Sequence, residues 1–195
     1  MRLRPQPEAV AAAVVSFPDV QSAVDTVMMT LQSAVPVARV ELLDAVAMKA
    51  CNAYNKLTMQ ETPTLFLEFN GTESSLKEQA STVAEISEAN GGSELEWSTR
   101  PEERSRLWKA RHSLHYACLA LKPGSRLVPT DIAVPMSELP NMLSEARLEI
   151  EAAGLTGKSS LMYSTYSSSY KYIHICTLHK YSRRIVLGGF HQRRP

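Results

Sequence analysis

Along this chain the apolar positions switch between a period of two and a period of three to four, and the switches lay out a strand-then-helix plan. Ala9 to Phe17 is a run of small and β-branched residues and predicts a strand. Pro18-Asp19 opens a helix with Asp19 as N-cap, followed at helical spacing by Val20, Ala23, Val27, Leu31 and Ala34. Residues 36–43 read as a second strand, with Ala38, Val40 and Leu42 on one face and Arg39 and Glu41 on the other. A shorter helix follows over about 44–56, and Thr64 to Phe69 forms a third strand that Asn70-Gly71 ends. Ser75-Leu76-Lys77-Glu78 has the form of a capping box. The helix it opens carries Leu76, Ala80, Val83 and Ile86 and stops at Asn90-Gly91-Gly92. Glu94-Leu95-Glu96-Trp97 alternates as a half-buried strand does. Thr99, Pro101 and Glu102 then start a long helix through Leu121, with Leu107, Ala110, Leu114, Ala117 and Leu121 on its apolar stripe. Arg126 to Val134 is a fifth strand, in which Pro129 calls for an edge or a bulge. Ser137 caps a last helix bearing Leu139, Leu143, Ala146, Ile150 and Ala153, and Gly154 ends it.

Strands that alternate polar and apolar residues keep one wet face, which disfavours a doubly wound parallel sheet buried on both sides. The expected class is therefore α+β: a ferredoxin-like antiparallel sheet with helices packed on one face. One helix is added between the second and third strands, and a helix, strand and helix follow.

Composition changes this picture in one place. The 195 residues are 44% hydrophobic and 21% charged, ordinary for a chain with one good core. A net charge of +1 gives no whole-chain case for a nucleic-acid or membrane-surface partner. No apolar run approaches the roughly 18–20 residues of a membrane span. Met1-Arg2-Leu3-Arg4-Pro5 has no apolar segment of a secretory signal, and no targeting segment is expected in this chain. From Lys158 to Pro195, however, there is no Asp or Glu. Seven of the 21 Lys and Arg fall there, leaving 14 against 20 acidic residues in 1–157. The sequence thus predicts a body over residues 1–157 and a divergent, disordered basic tail over 158–195. Cys51, Cys118 and Cys176 are odd in number and widely spaced, which argues for reduced thiols and no disulfide framework.

Chemical motifs are sparse. There is no GxGxxG, P-loop, HExxH or GxSxG. His174, Cys176, His179 and His191 match no zinc spacing, so no metal site is expected. One segment, Arg104 to His115, is richer. On a helix Arg104, Trp108, Arg111 and His115 fall on neighbouring turns of one face. Guanidinium, indole and imidazole together could grip a small carboxylate, since guanidinium binds carboxylate bidentately. A solvated basic helix face fits the same spacing.

Three segments carry a family resemblance: Pro36-Val37-Ala38-Arg39-Val40-Glu41-Leu42-Leu43-Asp44, Pro63-Thr64-Leu65-Phe66-Leu67-Glu68-Phe69, and Glu103-Arg104-Ser105-Arg106-Leu107-Trp108-Lys109-Ala110-Arg111-His112. In order and spacing, over about residues 3–157, the chain resembles the C-terminal cap region of FAD-linked oxidases. Within that family it is most similar to the animal mitochondrial branch that oxidises D-lactate. The resemblance implies an α+β cap of ferredoxin-like type, FAD as cofactor, a D-2-hydroxy acid as substrate, cytochrome c as electron acceptor and a mitochondrial location. It also implies that Arg111, which ends Leu-Trp-x-x-Arg, contacts the substrate carboxylate. A partner four residues on falls at His115, where some relatives have a hydroxyl. Pro129 stands where some relatives place a lysine, two residues before Asp131.

Two departures shape the functional expectation. The half of such enzymes that holds FAD lies outside this sequence. The Gly-His-x-Gly-Asp-Gly-Asn-x-His motif, which brings the family's divalent metal and active-site histidines, is replaced by Lys158-Ser159-Ser160-Leu161-Met162-Tyr163. A frameshift or a retained intron would produce such a change. The expectation is a substrate-side fragment of an FAD-dependent D-2-hydroxy acid dehydrogenase, inactive alone. The alternative is a stand-alone ferredoxin-like module that binds a small acid without catalysis.

Overall fold

A computed structural model describes residues 6–121, 123–124, 126–134, 138–152, 156–164 and 171–179; for its last three strands the description is of the backbone. Ala9–Ser16 (β1), Val37–Leu43 (β2), Thr64–Gly71 (β3) and Glu96–Ser98 (β4) lie in the order β4-β1-β3-β2, every pair antiparallel. That order, with helices Val20–Gln32 (α1) between β1 and β2 and Glu73–Ala89 (α3) between β3 and β4, is the ferredoxin-like arrangement the sequence predicts. Ala45–Asn55 (α2) is the added helix.

The helix starts follow local chemistry. Asp19 caps α1 through the Ser22 amide at 2.8 Å, and Asp44 caps α2 through the Ala47 amide at 2.7 Å. The third cap differs from expectation. β3 runs on to Gly71, so Thr72 is the first residue able to cap, and Ser75 is the third residue of α3, returning a bond to the Thr72 amide at 3.0 Å.

One face of the sheet holds the larger core. Ala11, Ala13 and Val15 of β1, Leu65, Leu67 and Phe69 of β3, and Val37, Val40 and Leu42 of β2 meet Ala23, Val24 and Val27 of α1 and Leu76, Ala80 and Val83 of α3. Val37 and Val40 share a face despite their odd separation because β2 is bulged: Val37 pairs Phe69 and Arg39 pairs Glu68, leaving Ala38 as the extra residue. Met142, Leu143 and Ala146 of the helix Leu139–Ala152 (here α6) close this layer.

The other face differs from the one-sided arrangement that the alternation predicts. Ala12, Val14, Phe66 and Leu43 are covered by Ala47, Met48, Ala50 and Cys51 of α2 and by the segment 101–121. The reason lies in β1 and β3: Ala-Val-Ala-Ala-Ala-Val-Val and Thr-Leu-Phe-Leu offer apolar side chains on both faces, so both need cover. The long helix over 99–121 is two helices, Pro101–His112 (α4) and Leu114–Leu121 (α5), broken at Ser113. The Ser113 hydroxyl lies 2.9 Å from the Ala110 carbonyl and accepts from Asn55 Nδ2 at 2.9 Å, tying the break to α2. Cys51 and Cys118 are buried thiols on this face, and Cys51 Sγ donates to the Ala110 carbonyl at 3.4 Å.

Beyond β2 the sheet continues through Thr156–Ser164 (β6) and Lys171–His179 (β7) to Arg126–Val134 (β5), all antiparallel. Pro129 accordingly sits in a terminal strand of the sheet. The expected boundary at Gly157/Lys158 falls inside β6, and the expected tail supplies β7 as well. Tyr172-Ile173-His174-Ile175-Cys176-Thr177-Leu178 has the β-branched, aromatic content of a strand; a lack of acids reports surface charge, not backbone pairing. Residues 180–195 lie outside the described residues.

Candidate substrate-carboxylate site

The charged residues that the sequence places on the outer face of β2 are inner residues in the structure. β2 is flanked by β3 and β6, with Glu41 opposite Phe66 on one side and Met162 on the other. α4 crosses this face. Pro101 at its first position and Glu102 and Glu103 in its first turn suit a helix start, and Lys109, Arg111 and His112 in its last turn suit the negative end of the helix dipole.

Two contacts dock α4 onto β2. Arg111 meets Glu41 as an ion pair between Nε and Oε2; the geometry is that of facing charges rather than an aligned hydrogen bond. The side chains are 13% and 3% exposed, so the pair is nearly dry. One turn earlier, the Arg39 guanidinium lies over the Trp108 ring, 4.3 Å from its centroid. Arg39 is also 3.6 Å from Glu68, its register partner on β3. Trp108 in turn stacks with His112, centroids 6.1 Å apart at 28°. Two alternating positions of β2 thus each hold a charge that α4 or β3 answers.

Of the four residues the sequence groups on one helix face, Trp108 and Arg111 come together with β2. Arg104 is half-buried one turn before Trp108. Among the described residues the Arg104 Nε and Trp108 Nε1 donors are buried without a hydrogen-bond partner, a state that costs about 1–3 kcal/mol each unless an acceptor arrives. His115 falls elsewhere. It lies past the Ser113 break on α5, exposed, edge-on to Tyr116 with centroids 5.5 Å apart. Arg39, Glu41 and Glu68 lie in the segments that carry the resemblance but were not singled out as site residues, because their alternation also describes a wet face.

Chemically, the two guanidinium groups Arg39 and Arg111 face the two carboxylates Glu68 and Glu41, so among the described residues these pairs balance in charge. A glycine-lined helix start is one common cradle for a dinucleotide pyrophosphate. Among the described residues the one glycine at such a place, Gly71 before α3, has its space filled by Ser75 Oγ, and Glu73 adds a negative charge to the same turn. Among the described residues no group of three or more His, Cys, Asp or Glu could hold a metal, and no helix is long and apolar enough to cross a membrane.

Residues 6–175 match the family of FAD linked oxidases, C-terminal domain, and the chain belongs to that family. It is 48% identical over 157 residues to the protein of Danio rerio named "Probable D-lactate dehydrogenase, mitochondrial", covering 80% of this chain and 32% of that protein. It is 38% identical over 155 residues to the mitochondrial D-lactate dehydrogenase [cytochrome] of Arabidopsis thaliana, covering 80% of this chain and 27% of that protein. The chain therefore spans about a third or less of the length of these relatives. Among solved structures, 4-ethylphenol oxidase from Gulosibacter chungangensis superposes on 92% of this chain and 41% of its own, with a TM-score of 0.69 at 11% identity. An alkyldihydroxyacetonephosphate synthase superposes with a TM-score of 0.65 at 14% identity, over 91% of this chain and 38% of its own. These two likenesses bear on the fold alone.

Proposed function

We propose that this chain is the substrate-side cap of an FAD-dependent D-lactate, or D-2-hydroxy acid, dehydrogenase of mitochondria that passes electrons to cytochrome c. By itself it binds no FAD and turns over no D-lactate. The observation that supports the assignment most is the 48% identity to a relative bearing that name. What supports inactivity is chemical: Gly71, just before α3, has no space for a pyrophosphate, and from Lys158 on the sequence departs from the histidine-bearing motif of the resemblance.

Within the cap, Arg111 is the residue to which we assign the substrate carboxylate. It is held nearly dry on α4, where a charge-assisted bond keeps more of its strength than in water. His115 is the second substrate-side candidate, presented from the exposed face of α5. The role of this chain in the reaction is to bind and orient the acid.

Two measurements test the reading. The purified chain should show no flavin absorbance and no heat of binding with D-lactate; saturable binding would favour a stand-alone acid-binding module instead. In a full-length enzyme carrying this cap, Arg111→Ala should raise the Michaelis constant for D-lactate strongly, since a hydrogen bond to a charged group is worth about 1.5–3 kcal/mol. Unchanged kinetics would make Arg111 a purely structural residue.

A further inference from the structure

We propose that Glu41 is the positioning residue of this site: its buried carboxylate fixes the Arg111 guanidinium so that the substrate acid meets it already oriented. The inference rests on the assignment of Arg111 to the substrate carboxylate. Its support is independent of that assignment and lies in where Glu41 stands.

Glu41 is 3% exposed at its side chain and sits on a strand paired on both sides, so its carboxylate has little freedom to move. Taking a carboxylate out of water is expensive, and an ion pair returns that cost only when its geometry is good. A pair of apolar residues would dock α4 as well or better, because the surrounding positions Leu43, Phe66 and Trp108 are already apolar. Nor does Glu41 serve as a general counter-charge for the cluster. Arg39, two residues away on the same strand, has Glu68 and the Trp108 ring as partners.

The contact is made through Nε, the inner edge of the guanidinium. A guanidinium has five N–H donors in one plane; one is on Nε and four are on the two Nη nitrogens. An immobile carboxylate facing the Nε edge restrains the guanidinium by charge and so limits the planes in which the Nη donors can lie. A substrate carboxylate that docks bidentately needs that plane to match its own. Holding the plane before binding removes an ordering cost that the substrate would otherwise bear.

Sign distinguishes this role from simple charge neutralisation. If Glu41 only weakened the positive field of Arg111, removing its charge would tighten binding of an anionic substrate. If it orients Arg111, removing its charge loosens binding. In the full-length enzyme carrying this cap, Glu41→Gln should raise both the Michaelis constant for D-lactate and the inhibition constant of the product pyruvate. The expected rise is roughly two- to tenfold, the scale of ordering one rotamer-rich side chain. Turnover at saturation and flavin content should stay within about twofold, since both ligands share a carboxylate and the change concerns its binding.

Arg111→Ala is measured beside it. If Arg111→Ala leaves both constants unchanged, the assignment of Arg111 falls and Glu41 with it. If Arg111→Ala raises both constants while Glu41→Gln leaves them unchanged, lowers them, or instead lowers turnover, flavin content and melting temperature together, only the role of Glu41 is overturned. Should Glu41→Gln not fold, Glu41→Asp keeps the charge but draws it back by one methylene. A rise in both constants with full flavin content supports the proposal there too, and unchanged constants refute it.

Discussion

Truncating Phe66 to alanine tests whether the second sheet face is covered as the structure has it. Phe66 is 1% exposed in the middle of β3, opposite Glu41 and among Ala12, Val14, Leu43, Met48 and Cys51. Burying a phenylalanine and then deleting it costs about 3–5 kcal/mol, more where the neighbours cannot collapse into the hole. Here many neighbours are alanines, Ala12 on β1, Ala47 and Ala50 on α2 and Ala117 on α5, which have no side-chain length to swing inward. We therefore expect a loss of about 4 kcal/mol, in the upper part of that range. For a chain of this size that is a fall in melting temperature of roughly 8–16 °C. Urea unfolding followed by far-ultraviolet circular dichroism measures it. Trp97→Ala is the control, because Trp97 is 40% exposed on the short terminal strand β4 and should cost less than about 1 kcal/mol. If Phe66→Ala costs no more than Trp97→Ala, then α2, α4 and α5 do not cover this face and the site built on it does not exist as described.

The buried pair gives a double-mutant test of the same docking: Arg111→Ala should cost about 3 kcal/mol by leaving Glu41 buried without its cation, whereas Glu41→Leu with Arg111→Met together should fall within about 1 kcal/mol of the parent. Chemical denaturation of Arg111→Ala, and of Glu41→Leu and Arg111→Met singly and combined, decides it, and additive losses of the two singles in the double variant would mean that the two residues do not share a contact. At the start of α4, hydrogen bonding from Ser98 and then the Arg100 guanidinium hold the exposed Glu103 carboxyl below its ordinary value of 4.5. A depressed folded-state value means that the stabilisation is present above 4.5 and is lost as pH falls through the lower, folded value. Melting curves of Glu103→Gln and the parent should therefore differ at neutral pH and converge in acid; a gap that widens on acidification would reverse the sign.

Much of the fold was legible because local signals and tertiary packing agree. Asp19 and Asp44 cap helices where an acid precedes an apolar stripe, and Leu76, Ala80 and Val83 are buried at the spacing that predicts it. Where legibility failed, a second partner outside the local window decided the outcome. The break at Ser113 depends on Asn55, 58 residues away, and no helical pattern over 99–121 contains that information. The cap at Thr72 rather than Ser75 depends on how far β3 extends, which its pairing with β1 out to Gly71 sets. The strands β6 and β7 show the converse: charge composition marked a boundary, while backbone pairing carried the sheet across it.

The candidate site was half legible for a related reason. Trp108 and Arg111 share a helix face, and spacing of three to four brings them out of the sequence. Their partners Arg39 and Glu41 lie about 70 residues earlier on a strand whose alternation is equally that of a wet face. Alternation says only that one face of a strand differs from the other; whether that face meets water depends on what crosses it. β2 lies inside the sheet, so a charge there must be answered by whatever covers it. α4 brings to that face an arginine and an indole, the two groups best able to answer a carboxylate and a guanidinium. The polar residues of β2 are thus the more informative ones for function: apolar residues would have docked α4, whereas Arg39 and Glu41 dock it and also fix the side chains it presents.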